Sequence, residues 1–321
     1  MSNLIWATTI EAVKQSGGEI RAGGTDLMER LRMGVSAGDV VDIGRLPGLN
    51  KIEIEADGSV KIGANVKVDT VATHPHLMEH YPGLAMAAGS LATPQIRWMA
   101  TMGGVLLQRN RCWYYRNPAF DCFKKGGDSC PARTGDHRLG VVFDLGACVA
   151  PHPSTVGMML LAYEAQVVVD EERRLAVRDL YGDGRHSSHD HTLLPNELLT
   201  HVVLPPPVTD ERAAYFRSIS RARAEWPLVE AGVRLVLAAD ETITMARVVV
   251  GAVANIPLRL PKVEAALVGQ PAQTATFAQA AKMATDGAAP LPQTGYKVPL
   301  LYGTVLETLE RAQQRVWGGE G

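Results

Sequence analysis

Thr101-Met102-Gly103-Gly104-Val105-Leu106-Leu107 and the loop after it, Arg111-Cys112-Trp113-Tyr114-Tyr115-Arg116 running on to Cys122, Cys130 and Cys148, organise this chain. The stretch opens on a glycine turn, where the missing side chain permits a close backbone approach. Val105, Leu106 and Leu107 follow as an apolar run compatible with a strand or a helix. All four cysteines of the 321-residue chain lie in this window, spaced by ten, eight and eighteen residues. Four thiols so gathered point to metal ligation or a disulfide framework. The close cysteine pairs of structural zinc sites are absent. An iron–sulfur cluster takes four thiolates and tolerates looser spacing. Lys124, Lys125, Arg111 and Arg116 would offset the charge of such a cluster, and the amides of Gly126, Gly127 and Gly135 would tune it. Trp113, Tyr114 and Phe123 would shield it from water. Spacing alone leaves three readings open: a cluster, zinc, or unliganded cysteines of which some sit in the core.

Working outward toward the N-terminus, a second glycine turn stands in a more informative setting. Glu19 to Ala22 reads as a strand, Gly23-Gly24-Thr25-Asp26 as a turn, and Leu27 to Met33 as a helix stopped by Gly34. Strand, glycine turn and helix make a possible phosphate cradle, since free amides and a helix start favour anions. The plainer reading is an ordinary helix start. Two such turns, each beside a strand, can approach one diphosphate from two sides. Ile10 to Ser16 reads as a short helix, and Val40 to Ile43, Ile52 to Ile54 and Val60 to Ile62 as strands. Asp57-Gly58 marks a hairpin between the last two. Residues 77–99 read as helical, ending in Pro94-Gln95-Ile96-Arg97-Trp98.

On the C-terminal side, His152-Pro153-Ser154-Thr155 is a turn with a hydroxyl cap for a helix from Val156 to Tyr163. Gln166 to Val169 and Leu175 to Val177 form a hairpin pattern. His186, His189 and His191 fall in a polar loop without regular ligand spacing and read as solvated. Pro205-Pro206-Pro207 is the clearest linker and divides the chain into residues 1–206 and 213–321. Beyond it, Tyr215 to Ser220 and Ile243 to Val253 read as strands and Trp226 to Ala238 as a mostly apolar helix. Pro261 to Leu267, Phe277 to Ala284 and Tyr302 to Val316 read as helices, the last amphipathic with Val305, Leu309 and Ala312 on one face.

Composition narrows the function. Hydrophobic residues make up 46% and charged residues 21%, the profile of a globular protein with a sizeable core. A net charge of -2 gives no reason to expect a nucleic-acid partner. No apolar run reaches the roughly 18 residues that a membrane span needs. Met1 to Trp6 lacks the features of a signal peptide, so the cytoplasm is expected, with export in company of a signal-bearing partner as the other route.

Arg21-Ala22-Gly23-Gly24-Thr25-Asp26-Leu27, then Gln95-Ile96-Arg97 with Ala100-Thr101-Met102-Gly103-Gly104, then His152-Pro153-Ser154, resemble the FAD-binding subunit of the molybdenum hydroxylase (xanthine oxidase) family. Arg223-Ala224-Glu225-Trp226-Pro227-Leu228-Val229 resembles the start of that subunit's C-terminal domain. The insertion from Gln108 to Cys148 is similar to that of periplasmic-type aldehyde oxidoreductases and 4-hydroxybenzoyl-CoA reductase, whose flavin subunits carry an additional 4Fe–4S cluster. The resemblance implies an α+β fold of the vanillyl-alcohol-oxidase (PCMH) type, with two FAD-binding subdomains and a smaller α+β C-terminal domain. It places Ile20, Arg21, Ala22, Gly23, Gly24, Thr25 and Asp26 along FAD, Thr101, Gly103 and Gly104 over it, and Thr155 and Leu199 at its adenine or flavin end. It makes Cys112, Cys122, Cys130 and Cys148 the cluster ligands. The sequence departs from the family pattern at Trp98 and Val105, where Asn is usual, at Thr155, where Asp is common, and at Ser218, where Lys is common.

The implied role is electron transfer rather than substrate chemistry, with no general acid or base in this chain. Partners would be a small subunit with 2Fe–2S centres and a large subunit with the molybdenum cofactor, in a heterotrimer or its dimer, together with an external electron acceptor. The complex would oxidise an aldehyde or an aromatic or heterocyclic substrate. The alternative from another class is a zinc-stapled scaffold that binds a nucleotide or a protein without redox activity.

Overall fold

Short elements dominate the N-terminal third because glycine and proline stop each one within a few residues. Helix Ile10–Ser16 begins at Thr9, whose hydroxyl accepts the Ala12 N–H, and ends on Gly17 in the left-handed region at φ 66°. It lies between the first two strands of a three-stranded parallel sheet, ordered Leu4–Trp6, Val40–Asp42, Glu19–Arg21. Val13, Val41, Ile43, Leu46 and Leu49 form its small core. In a parallel sheet the C-terminal strand ends face one way, the side where ligands bind in open α/β sheets. The turn Ala22 to Asp26 and helix Leu27–Arg32 leave from that end. The computed structural model describes residues 3–222 and 224–314.

A five-stranded antiparallel sheet follows, ordered Ile52–Ile54, Val60–Gly63, Leu199–Leu204, Gln166–Val169, Arg173–Ala176. Both hairpin expectations are met in it. The segment read as one helical stretch over 77–99 is three helices, Pro75–His80, Pro82–Gly89 and Pro94–Met99. Each begins on a proline, which lacks the N–H needed to continue its predecessor. Gly103 and Gly104 do not form a free-standing turn. They sit in helix Met102–Leu106, capped by the Thr101 hydroxyl. From Gln108 to His152 the only regular pieces are two 3-10 turns, Phe123–Lys125 and Pro131–Arg133.

The chain leaves the second sheet at Leu204, and the Tyr81 hydroxyl donates to the Pro205 carbonyl at 2.6 Å. It enters a four-stranded antiparallel sheet ordered Leu258–Arg259, Ile243–Gly251, Val229–Leu237, Arg212–Ser218. Trp226 to Ala238, expected as a helix, is instead the central strand Val229–Leu237. Its residues 229–235 are all buried, because helix Lys297–Gln314 and helix Thr155–Ala162 both pack on it. A strand buried on both faces loses the alternation that would distinguish it from a buried helix. Arg223, in the stretch resembling the start of the C-terminal domain, lies outside the described residues. The last helix spans Lys297–Gln314 and buries Val305, Leu309 and Ala312 as expected, while Val316 lies outside the described residues.

Candidate functional site

A cleft of about 1030 Å³ opens where the parallel sheet meets the second sheet. That is at the top of the usual range for ligand sites, as an extended dinucleotide requires. Ile20, Arg21, Ala22, Gly23, Gly24, Thr25, Asp26, Thr101, Gly103, Gly104 and Leu199 all line it, eleven of the twelve residues expected there. Thr155 does not. It is 1% exposed at the start of a helix that the C-terminal sheet covers, and its hydroxyl donates to Glu230 at 2.7 Å.

The two glycine pairs contribute differently. Among the described residues, the N–H groups of Gly23, Gly24, Thr25 and Asp26 have no protein acceptor. Four successive free amides at the end of a parallel strand form a nest for an anion. Gly24 holds φ at +73°, and a Cβ on Gly23 would lie 1.9 Å from the Met99 carbonyl oxygen, so both glycines are required by the turn itself. The second pair has spent its donors. Gly103 N–H donates to Ala64 at 2.9 Å, and Gly104 N–H to the Thr101 hydroxyl at 3.3 Å. The expected two-sided approach therefore becomes one-sided: the first turn offers amides, and the second offers only small size.

Charges around the cleft are mostly paired. Asp26 accepts from Arg30 Nε at 3.1 Å, Arg116 Nη2 at 2.6 Å and the Arg109 amide at 3.3 Å, with Arg111 Nη2 at 3.2 Å. Burial would raise its pKa, but Arg111, Arg116 and Arg30 outweigh burial and hold it below the ordinary carboxylate value. The first glycine turn is thus bolted to the cysteine loop. Across the cleft, Asp190 pairs with Lys124 and Arg109, each at 2.6 Å, and these cations keep it ionised against the effect of its burial. His186 and His189 are exposed, as expected of a solvated loop, and line the cleft with the half-buried His191 and the buried Asp190. Burial, with Arg109 next, lowers His191 to about 4, so it is neutral at pH 7. The partners that fold this loop inward, Arg109 and Lys124, stand more than sixty residues away, so nothing local marked it.

Cys112, Cys122, Cys130 and Cys148 are unpaired thiols that line one small cavity of about 20 Å³. Burial pushes Cys112 up and Cys148 up to about 11, so both are protonated in this state. Among the described residues no three His, Cys, Asp or Glu side chains are grouped to hold a single metal ion. Tyr115 and Lys124 line both this cavity and the cleft, so one layer of side chains separates the two.

The family model of the FAD binding domain in molybdopterin dehydrogenase matches residues 6–207. The chain belongs to this family. The model of the CO dehydrogenase flavoprotein C-terminal domain matches residues 214–298. Family membership makes the protein an FAD-binding subunit of the molybdenum hydroxylase type of oxidoreductase, and its mixed α and β architecture is that of the family. The aldehyde oxidoreductase FAD-binding subunit PaoB of Escherichia coli K12 is 32% identical over 266 residues, covering 80% of this chain and 81% of its own. The nicotinate dehydrogenase FAD-subunit of Eubacterium barkeri is 24% identical, covering 78% and 72%. The solved structure of quinoline 2-oxidoreductase from Pseudomonas putida 86 has a TM-score of 0.77 at 18% identity, covering 99% of this chain and 98% of its own, and so shares the fold.

Proposed function

We propose that this subunit carries electrons within a molybdenum hydroxylase complex, with FAD in the 1030 Å³ cleft and its diphosphate on the free amides of Gly23 to Asp26. Those four unpartnered amides are the observation that carries the reading. The cofactor, when bound, exchanges electrons singly or in pairs. The chain binds and orients it. Ile20 to Asp26 hold one side, and Thr101, Gly103 and Gly104 pack beside them. Leu199 supplies an apolar contact. The domains under this reading are 1–206 for FAD binding, with the cysteine loop inserted, and 213–321 for the C-terminal flavoprotein domain.

Cys112, Cys122, Cys130 and Cys148 are, in the same proposal, the ligands of a 4Fe–4S cluster. The four cysteines line one small cavity and would supply the four thiolates, although among the described residues no three of their side chains are grouped to hold a metal ion in this state. Their cavity, as it stands, has room for about one water, so the loop must widen around a cluster. With only two 3-10 turns, it has little regular structure to resist that. Ligation would displace the thiol protons of Cys112 and Cys148. The partners are a 2Fe–2S subunit and a large molybdenum subunit, and the substrate is an aldehyde or an aromatic or heterocyclic compound, the classes that the relatives' names indicate. Among the described residues no helix is long and apolar enough to cross a membrane. The cytoplasm is the proposed compartment.

The test is acid release of flavin together with iron, sulfide and zinc analysis of the native complex. One FAD and about four iron per chain of this subunit fit the proposal. A flavin-free complex defeats the first part. Zinc in place of iron defeats the second and favours the zinc-stapled alternative.

A further inference from the structure

Between helix Val177–Tyr181 and strand Leu199–Leu204 the chain runs from Gly182 to Leu198 without a helix or a strand. Ordered loops longer than about twelve residues are uncommon in compact domains, and lids and binding loops are prominent among them. This loop supplies a wall of the cleft, which Gly184, His186 and every residue from His189 to Leu198 line. From Arg185 to His191 one residue is buried, Asp190; Ser187 and His191 are half-buried and the rest are exposed.

That one carboxylate pins the exposed stretch. Asp190 meets Lys124 Nζ and Arg109 Nε, each at 2.6 Å, and Lys124 Nζ also donates to the His189 carbonyl at 2.7 Å. Among the described residues, no other hydrogen bond or ion pair ties Arg185 to His191 to the rest of the protein, apart from the local contacts of Arg185 with Asp183. The two ends of the stretch are fixed independently. Asn255 Nδ2 donates to the Gly184 carbonyl, and Gly184 itself holds φ at +78°, a conformation open to glycine. At the other end the Thr192 N–H donates to the Leu180 carbonyl at 2.8 Å and its hydroxyl to the Asp179 carbonyl at 3.0 Å. Between those anchors Asp190 is the sole tie.

We propose that residues 185–191 are a strap on the cofactor cleft, latched by Asp190, which swings away when the cofactor enters or leaves. The partners of the latch belong to the opposite loop: Arg109 lies three residues before Cys112, Lys124 lies two after Cys122, and both line the cleft. The latch therefore joins two separate stretches of the cleft wall. A segment with one buried anchor and few internal contacts opens at a lower free energy than the fold around it. Its two charge-assisted hydrogen bonds set how firmly it is shut. Asp190 is in this sense a positioning residue, acting through Lys124 and Arg109. The identity of the retained cofactor rests on the cleft being the flavin site; the latch does not.

The experiment follows two rates in the native complex. One is trypsin cleavage of the Arg185–His186 bond, read by mass spectrometry; the Arg185 side chain is 82% exposed, so cleavage waits on opening of the backbone. The other is escape of FAD on dilution, read by its fluorescence. Asp190→Asn loosens both bonds of the latch and should raise both rates about a hundredfold; Lys124→Met removes one and should raise them about tenfold. Lys124→Arg, which keeps the cation, should stay near the wild type. Lys124→Met leaves the Asp190–Arg109 bond in place and serves if Asp190→Asn does not fold. Cleavage at other lysines and arginines should keep its wild-type rate. Wild-type cleavage at Arg185 in both variants, an equal rise at every site, or faster cleavage with FAD escape unchanged overturns the proposal. A complex without FAD defeats the flavin reading, and cleavage at Arg185 then decides the latch by itself.

Discussion

Gly23-Gly24 and Gly103-Gly104 are the same dipeptide beside the same cleft, and they serve it in different ways. The first pair sits after a strand, with one glycine forced into the left-handed region, and its amides are free. The second pair sits in the first turn of a helix, and its amides already have partners. A glycine pair therefore marks a binding site only when the surrounding structure leaves its N–H groups unclaimed. Residue type supplies the opportunity, and backbone bookkeeping decides whether it is used.

The strongest way to break the comparison is to add one methyl group to each pair. Gly23→Ala places a Cβ 1.9 Å from the backbone oxygen of Met99, which cannot move aside alone, so the turn must distort. Loss of FAD from the purified complex is expected, by at least about a hundredfold in affinity. Gly103→Ala meets the Ala64 Cβ at 3.0 Å, a contact that small shifts relieve. It should cost about 1 kcal/mol of stability through overpacking and keep the flavin. Equal flavin loss in the two variants would show that the second pair contributes donors after all.

A smaller effect sharpens the link between the first turn and the cysteine loop. Asp26→Asn leaves Arg111 and Arg116 without their shared carboxylate. Breaking a buried pair in this way costs about 3 kcal/mol, read from denaturant unfolding of the complex. Flavin and iron should weaken together. Iron lost with flavin affinity unchanged would show the two regions to be independent. The sign with pH follows from the lowered pKa of Asp26. Its contribution is complete above the unfolded value of about 3.9 and disappears as pH falls toward the folded value.

The smallest expected effect concerns His152, lowered by burial from 6.5 to about 3. Between those values the unfolded chain takes a proton that the folded chain refuses, so stability falls as pH drops through the window. His152→Gln should make that acid limb shallower in thermal unfolding between pH 7 and about 4. An unchanged limb would mean that the ring is more exposed to water than its buried position indicates.

Local signals in the sequence were sufficient where neighbours along the chain decide the structure. Asp57-Gly58 set one hairpin, Ser154 capped the helix that follows it, and the amphipathic stripe of the last helix matched its buried face. They fell short where distant partners decide. Val229–Leu237 shows no alternation of apolar and polar residues, because two helices cover its two faces and even Glu230 and Arg234 are buried. Thr155 follows a binding-site motif yet turns its hydroxyl to Glu230, 75 residues on. In the loop from His186 to His191 the histidines His186 and His189 are exposed as expected, but Asp190 is drawn inward by Arg109 and Lys124, partners far along the chain. Much of the site could be read from its backbone turn, which is a local property. Its far wall is held by ion pairs, which are not.

Tyr115 and Lys124 belong to the cysteine loop and at the same time form part of the cleft. Pro118, Phe120 and Asp121 of the same loop line the cleft as well. Under the proposed cluster, ligation of the thiols would also set this wall of the cleft, so the order in which the subunit is loaded would matter. A dinucleotide admitted while the loop is open would be retained once the thiols are ligated and the wall is set. A chain that sets its wall first must reopen it. Reconstitution with FAD before iron and sulfide should therefore give more doubly loaded protein than the reverse order, and equal yields would show that the wall does not act as a door.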